Sequence, residues 1–322
     1  MEQHTEADLQ SLEQEAWNLK KRFLETVAPY RSDLWRYCRK LTGSPWDAED
    51  LVQETLLKAL ASLGQIWQPV FPKSYLFRIA TNTWINQCRR DNRFELSSYD
   101  EEWDDSNRSG HISDFEIYES IELLVHRLSP KQAAAILLAE VFHFTAKETA
   151  DMLATTEGAM KSLLHRARKN LRSMQTNDEK NRESRSVLER EYPMPDRKVI
   201  DSIIDAFHKR DPEAMAALFS EYAYNDIVHV GQEFGRETIK KYSVRDTFLH
   251  WSGALKAFFR MLWDRPVVIV LIDTNQGWQL KSVIYLETLD CSIVYKKEYY
   301  FCEDLLLEAA KELDVKLHER GW

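Results

Sequence analysis

Apolar residues recur at spacings of three and four through the first half of the chain, and its last quarter is dense in Val, Ile and Tyr. Helices are therefore predicted first and strands late. A helix is expected after Ala28-Pro29. Over Pro45 to Leu63, Ala48, Leu51, Val52, Leu56, Ala59 and Leu60 fall near one face, which leaves Asp47, Glu49, Asp50, Gln53 and Glu54 for solvent or a partner. Ser44 is placed to cap that helix, with Pro45 at its first position. Pro72 opens a longer helix to about Arg93, with Tyr75, Leu76, Ile79, Ala80 and Thr83 as its buried stripe. Arg78, Asn82, Asn86, Arg89, Arg90 and Arg93 supply its polar or basic positions.

Two capping boxes follow, Ser129 with Gln132 and Thr145 with Glu148. They predict a helix from Pro130 to about Val141 and a short one over Lys147 to Leu153, and after Ala154-Thr155-Thr156 a third helix to about Arg172. A short helix, a tight turn and a basic helix have the sequence appearance of a helix-turn-helix. The basic helix turns Ala159, Met160, Leu163, Leu164, Ala167 and Leu171 toward a core. Thr156, Glu157, Lys161, Ser162, His165, Arg166 and Lys169 are left to meet base edges and phosphates.

Beyond Pro193-Met194-Pro195 the texture changes. Lys198 to Arg210 and Asp211 to Phe219 read as helices, and a third begins at Arg236-Glu237-Thr238-Ile239. Strands are expected at about 266–273, 278–288 and 291–301, then a terminal helix over about 302–315. Helices followed by consecutive strands with short turns give an α+β expectation with an antiparallel sheet.

Composition narrows the function classes. Lys and Arg number 43 against 52 Asp and Glu, a net charge of −9, so any hold on nucleic acid must come from local basic surface. Hydrophobic content of 44% with only 9 Gly and 9 Pro excludes a wholly disordered or collagenous chain. The aliphatic run Val267 to Ile272 is far too short to span a bilayer. Met1 to Asp8 lacks the basic start and apolar core of a secretory signal, so a cytoplasmic location is expected. Cys38, Cys88, Cys291 and Cys302 form no metal-ligand spacing and are expected as reduced, packed thiols. No cofactor or metal is expected.

The motifs carry a resemblance. Asp47-Ala48-Glu49-Asp50-Leu51-Val52-Gln53-Glu54-Thr55-Leu56-Leu57-Lys58-Ala59 resembles region two of bacterial sigma factors of the extracytoplasmic-function (ECF) group, and Tyr75 to Asn82 is similar to the helix that follows it there. Leu128 to Gln132 through Glu157 to Arg168 resembles their region four. The resemblance implies two all-α sigma domains within a multidomain chain: region two over 14–94, an acidic linker over 95–116, a region-four helix-turn-helix over 117–173 and a charged linker over 174–195. It implies a promoter-specific transcription initiation factor with core RNA polymerase and promoter DNA as partners. Asp47, Glu49, Asp50, Gln53 and Glu54 would then face polymerase, and Asn82, Trp84, Asn86, Gln87, Arg89 and Arg90 the minus-ten element as bases leave the stack. Trp84 reads equally as a core ring. Region four would read the minus-thirty-five element, and Asp100 to Asp105 would imitate nucleic-acid charge or act as a spacer.

Residues 196–322 are additional. Arg210 to Met215, Asp226 and Gly235 to Ile239 are similar to the SnoaL-like, nuclear-transport-factor-like cone, in which a curved sheet encloses a pocket. Asp226, His229, His250 and Tyr285 are the polar candidates for that pocket, and Trp251, Phe258, Phe259, Trp263 and Trp278 are apolar lining or core. The domain is expected to be regulatory, through intramolecular contact with the sigma domains, and no catalytic residue is expected. A stand-alone helix-turn-helix regulator with a ligand-binding domain, or a domain with enzymatic turnover, stays as the alternative.

Overall fold

The computed structural model describes residues 2–63, 72–90, 128–178, 192–250 and 253–319. The acidic linker, Trp251, and most of the charged linker lie outside them. The chain divides into two compact units, Met1–Arg185 and Ser186–Trp322.

Unit 1 is helical: α1 Glu2–Thr42, α2 Pro45–Ser62, α3 Pro72–Arg90, α4 Pro130–Ile136 prolonged by a π turn Leu137–Val141, α5 Ala146–Met152 and α6 Glu157–Asp178. The helix expected after Ala28-Pro29 instead runs through Pro29 within α1. Proline forfeits one backbone bond there, and buried Phe23, Val27 and Leu34 on either side hold the helix to the core. Ser44 caps α2 by accepting the Asp47 N–H at 3.3 Å. The first core gathers Tyr37, Cys38 and Leu41 of α1, Trp46, Leu51 and Val52 of α2, and Leu76, Phe77 and Ala80 of α3.

Tyr37 is fully buried yet satisfied. Its hydroxyl lies 2.7 Å from Thr81 Oγ1, and the Thr81 hydroxyl donates to the Phe77 carbonyl at 2.7 Å. Tyr37 therefore donates to Thr81, and burial raises the phenol's pKa. The Tyr37 ring stacks on Phe77 at 4.9 Å and meets Phe142 edge-on at 5.4 Å, and Phe77 also meets Phe144 at 5.0 Å. Lys73 pairs with Asp33 at 3.0 Å, holding that carboxyl below its ordinary value, while its ammonium sits 5.6 Å from the Phe144 ring centre.

A second buried contact joins α1 to α2. Glu49 has no exposed surface and takes the Arg31 guanidinium at 3.0 Å. Burial, with the Glu49 charge added, pushes the Cys38 thiol well up. In the helix-turn-helix, Thr145 and Glu148 close the expected capping box, with the Thr145 N–H and hydroxyl donating to one Glu148 oxygen at 2.9 and 2.7 Å. The turn onto α6 passes through Ala154 at φ 49, a left-handed position that favours glycine.

Unit 2 begins with α7 Arg197–Lys209 and α8 Pro212–Ala217, then β1 Phe219–Ile227 and β2 Gly231–Phe234. α9 Arg236–Ile239 continues through a π turn Lys240–Val244 into α10 Arg245–His250. β3 Leu255–Leu262, β4 Arg265–Thr274, β5 Gly277–Leu289 and β6 Ser292–Glu298 follow, then α11 Glu303–Glu312 and β7 Lys316–Leu317. The sheet order is β2-β1-β6-β5-β4-β3, with β7 beside β5. Val199, Ile200, Ile203 and Phe207 of α7 share a core with Val268, Val270, Ile284 and Leu286 of the sheet.

The α+β expectation holds and the three expected strands appear as β4, β5 and β6. The sheet is mixed rather than wholly antiparallel, because β1 runs parallel to β6 and β7 parallel to β5. β1 and β3 were not expected as strands. The helix predicted to reach Phe219 stops at Ala217, and the chain enters β1 with a bulged register between Phe219 and Tyr224. The turns joining β3 to β4 and β5 to β6 place Trp263, Asp264, Asp290 and Cys291 at positive φ, the geometry of two-residue hairpins without glycine. Cys291 is consequently exposed rather than packed, while Cys38, Cys88 and Cys302 are buried thiols.

Two stability outcomes follow from unit 1. Glu49→Ala leaves the Arg31 charge without its buried partner and is expected to cost about 3 kcal/mol in urea unfolding, with Arg31→Met/Glu49→Met recovering most of it. Two donors from Thr145 hold the Glu148 carboxyl below its ordinary value, so its stabilisation is full above the unfolded pKa and lost as pH falls through the folded one. Unfolding measured across the acid range should show a shallower loss in Glu148→Gln than in the parent chain.

Candidate nucleic-acid interface

α6 presents its expected polar face. Thr156, Glu157, Lys161, Ser162, His165, Arg166 and Lys169 are all exposed, and Met160, Leu164, Ala167 and Leu171 are buried beneath them. Ala159, expected in the core, is exposed at the solvent side of the first turn. Two hydroxyls serve the helix itself: Thr156 accepts the Ala159 N–H at 3.2 Å and Ser162 donates to the Gly158 carbonyl at 3.1 Å. Arg168, also exposed, pairs with Glu140 of the π turn after α4. Among the described residues no group holds Lys161, Arg166 or Lys169, so their charges stay available to phosphates.

α3 carries a second polar stripe. Asn82, Asn86, Arg89 and Arg90 are exposed at spacings of four and three, one face of a helix. Two residues expected with them sit differently. Trp84 is only 6% exposed and lies in the core beside Ile85 and Cys88, so it is a core ring and not a free platform for a base. Gln87 donates its side-chain N–H to Glu54 Oε2 at 2.7 Å, tying α3 to α2.

α2 keeps Asp47, Asp50, Gln53 and Glu54 partly exposed and sends Glu49 inward. The inward turn of Glu49 has a plain geometric cause: it lies three residues after Trp46, three before Val52 and seven before Leu56, on the buried stripe itself. That spacing was visible in the sequence, and acid content masked it. Glu54 also pairs with Lys58 at 2.7 Å, and Lys58 reaches Thr83 of α3 at 3.1 Å. α2 and α3 are thus joined by a polar bridge beside their apolar contact, which fixes the angle between the acidic and the basic surface.

In unit 2 the expected pocket residues do not converge on the core side of the sheet. Asp226 and Tyr285 share the opposite face, both in register with Lys297, whose ammonium lies 4.0 Å from Asp226 Oδ2. The Tyr285 hydroxyl donates to Glu287 at 3.0 Å, and burial with that carboxylate raises its pKa. His229 stands in the turn between β1 and β2 at φ 70, and the side chain of His250, at the end of α10, lies outside the described residues. The polar groups that do face the core were missed: Asn225, Ser282, Lys296 and Glu298 occupy the neighbouring parity positions on their strands. Counting alternate residues from Ile284 and Leu286 would have found Ser282, and the strand pairing was needed for the others.

Comparison with known proteins matches the two helical segments. The family model Sigma-70 region 2 matches residues 26–94, which hold the C-terminal part of α1 and all of α2 and α3. The model Sigma-70, region 4 matches residues 118–171, which hold the helix-turn-helix. The ECF RNA polymerase sigma factor SigE of Mycolicibacterium smegmatis is 29% identical over 153 residues, 46% of this chain and 59% of that protein. The chain therefore spans less than two thirds of SigE. The solved structure of the Mycobacterium tuberculosis extracytoplasmic function sigma factor SigJ aligns over 85% of this chain and 95% of that one, at 15% identity and a TM-score of 0.31. SigL of Mycobacterium tuberculosis, an ECF RNA polymerase sigma factor, is 33% identical over 147 residues, 43% of this chain and 80% of that protein. Identity of 33% across 80% of SigL makes this chain a member of the ECF RNA polymerase sigma factors.

Proposed function

We propose that the chain directs core RNA polymerase to promoters, with α2 meeting polymerase, α3 the minus-ten element and α6 the minus-thirty-five element, and that unit 2 modulates this activity. The observation that carries the reading is the separation of charge by helix. α2 offers Asp47 and Asp50 outward, while α3 and α6 offer Arg89, Arg90, Lys161, Arg166 and Lys169 on exposed faces. An acidic surface suits a basic protein partner, and basic faces suit nucleic acid.

Each helix has a distinct task in this reading. The base-contacting end of α6 is its first turns, where Glu157 and Lys161 stand on a helix held by the Thr156 cap. Asn82 and Asn86 hydrogen-bond bases that have left the duplex stack, and Arg89 and Arg90 neutralise the adjoining phosphates. Asp47 and Asp50 provide the polymerase contact, with Gln53 beside them. Glu49 is a positioning residue for α2, and Glu54 and Gln87 set α2 against α3 from their shared hydrogen bond. Unit 2 is regulatory and carries no assigned catalytic group. No helix among the described residues is long and apolar enough to cross a membrane, and the proposed place of action is the cytoplasm.

The net charge of −9 supports delivery by a partner, because it opposes casual binding of the free chain to duplex DNA. The decisive test is run-off transcription with purified core polymerase. Asp47→Lys/Asp50→Lys should lower core binding at least about tenfold by opposing a basic surface, and unchanged affinity would remove α2 from the interface. With polymerase present, Lys161→Ala and Arg166→Ala should each weaken promoter binding and reduce the salt slope by about one. Deleting residues 186–322 should change the initiation rate if unit 2 is regulatory, and an unchanged rate would count against that role.

A further inference from the structure

The core-facing side of the unit 2 sheet carries a buried polar cluster that the transcription reading does not use. Asn225 of β1 has no exposed surface, and its side-chain N–H group donates to Glu233 Oε2 at 2.7 Å and to Ser243 Oγ at 3.0 Å. Glu233 of β2 also takes the Ser243 hydroxyl at 2.7 Å and the Ser243 backbone N–H at 3.2 Å. On β6, in register with Asn225, Lys296 is 4% exposed and donates to Glu298 Oε2 at 2.6 Å. Ser282 of β5 donates to the other Glu298 oxygen at 3.1 Å.

Almost every polar atom of this cluster is satisfied from within. Both oxygens of each carboxylate accept hydrogen bonds, and the Ser243 proton goes to Glu233. The exception is Asn225 Oδ1, which is buried and has no hydrogen-bond partner among the described residues. Its orientation is fixed, because flipping the amide would set its oxygen against the Glu233 carboxylate. A buried acceptor left without a donor is costly, which makes it a marker for something that supplies one. Charge points the same way: Glu233 and Glu298 stand against the single ammonium of Lys296, so the cluster carries a surplus negative charge beneath the sheet.

We propose that this cluster is a binding site for a small primary ammonium compound, whose N–H donates to Asn225 Oδ1 and whose charge offsets that of Glu233. The hydrogen-bond requirement and the charge requirement select the same ligand chemistry. Asn225 supplies the direct contact, Glu233 and Ser243 hold its amide, and the Lys296–Glu298–Ser282 group forms the neutral floor on the next two strands. An anion of similar size meets neither requirement. Occupancy would tie β1 and β2 to the segment carrying Ser243, and so connect a small molecule to the unit proposed to modulate transcription.

The test is titration of the full chain with methylammonium chloride, against sodium acetate at matched ionic strength, followed by calorimetry and thermal unfolding. Methylammonium should bind saturably and raise the unfolding temperature, acetate should do neither, and Asn225→Leu should weaken binding at least about tenfold. Equal binding by Asn225→Leu, equal effects of the two salts, or no saturable binding would overturn the proposal. Should Asn225→Leu fail to fold, a crystal of the parent chain soaked in methylammonium decides: density for the cation against Asn225 Oδ1 upholds the site, and a lone water there overturns it.

Discussion

Unit 1 depends on one buried side chain with three obligations. Tyr37 stacks on Phe77 of α3, meets Phe142 just past the π turn and donates its hydroxyl to Thr81. Its ring supplies apolar contact in two directions, and its oxygen lies in a core where an unmatched hydroxyl would be costly. Because Thr81 passes its own proton to the Phe77 carbonyl, the hydrogen bonds run in one sense and leave Tyr37 no alternative role. The exposed stripe of α3 is turned outward by this inner arrangement. Its chemistry is local, and its placement is inherited from the rings beneath.

Charge in this protein is sorted by depth as well as by helix. On α2 the same acidic run contains surface carboxylates and a buried one, Glu49, which takes the Arg31 guanidinium from α1. On α6 the basic residues all lie at the surface, where Arg168 pairs with Glu140 and Lys161, Arg166 and Lys169 are exposed beside it. On α2 the Arg31–Glu49 pair ties the inner side of the helix to α1. The remaining charges of the same sign are then held outward, where a partner can meet them.

Much of unit 1 was legible in the sequence because helix caps and apolar stripes are local signals. Ser44, the Thr145–Glu148 box and the α6 stripe each settle an element from a few adjacent residues. Glu49 and Trp84 were harder, since a residue's type suggested a surface or nucleic-acid role while its spacing placed it inside. Unit 2 was less legible for a different reason. β1 follows a helix directly and finds its parallel neighbour about seventy residues later, so no local pattern announces it. Strand parity then decided the pocket: Asp226 and Asn225 are adjacent in sequence, yet they face opposite sides of the sheet.

The pairing of β1 with β6 also imposes an order on synthesis. β1 leaves the ribosome with β2 as its immediate neighbour, and its other edge stays open until residues 292–298 have been made. A two-stranded ribbon is marginal in water, so the middle of the sheet closes only when β6 is inserted between β1 and β5. Unit 1, whose helices form from local bonds, has no such wait. The half proposed to face DNA and polymerase is therefore able to mature on the nascent chain before the half proposed to control it has acquired a complete sheet.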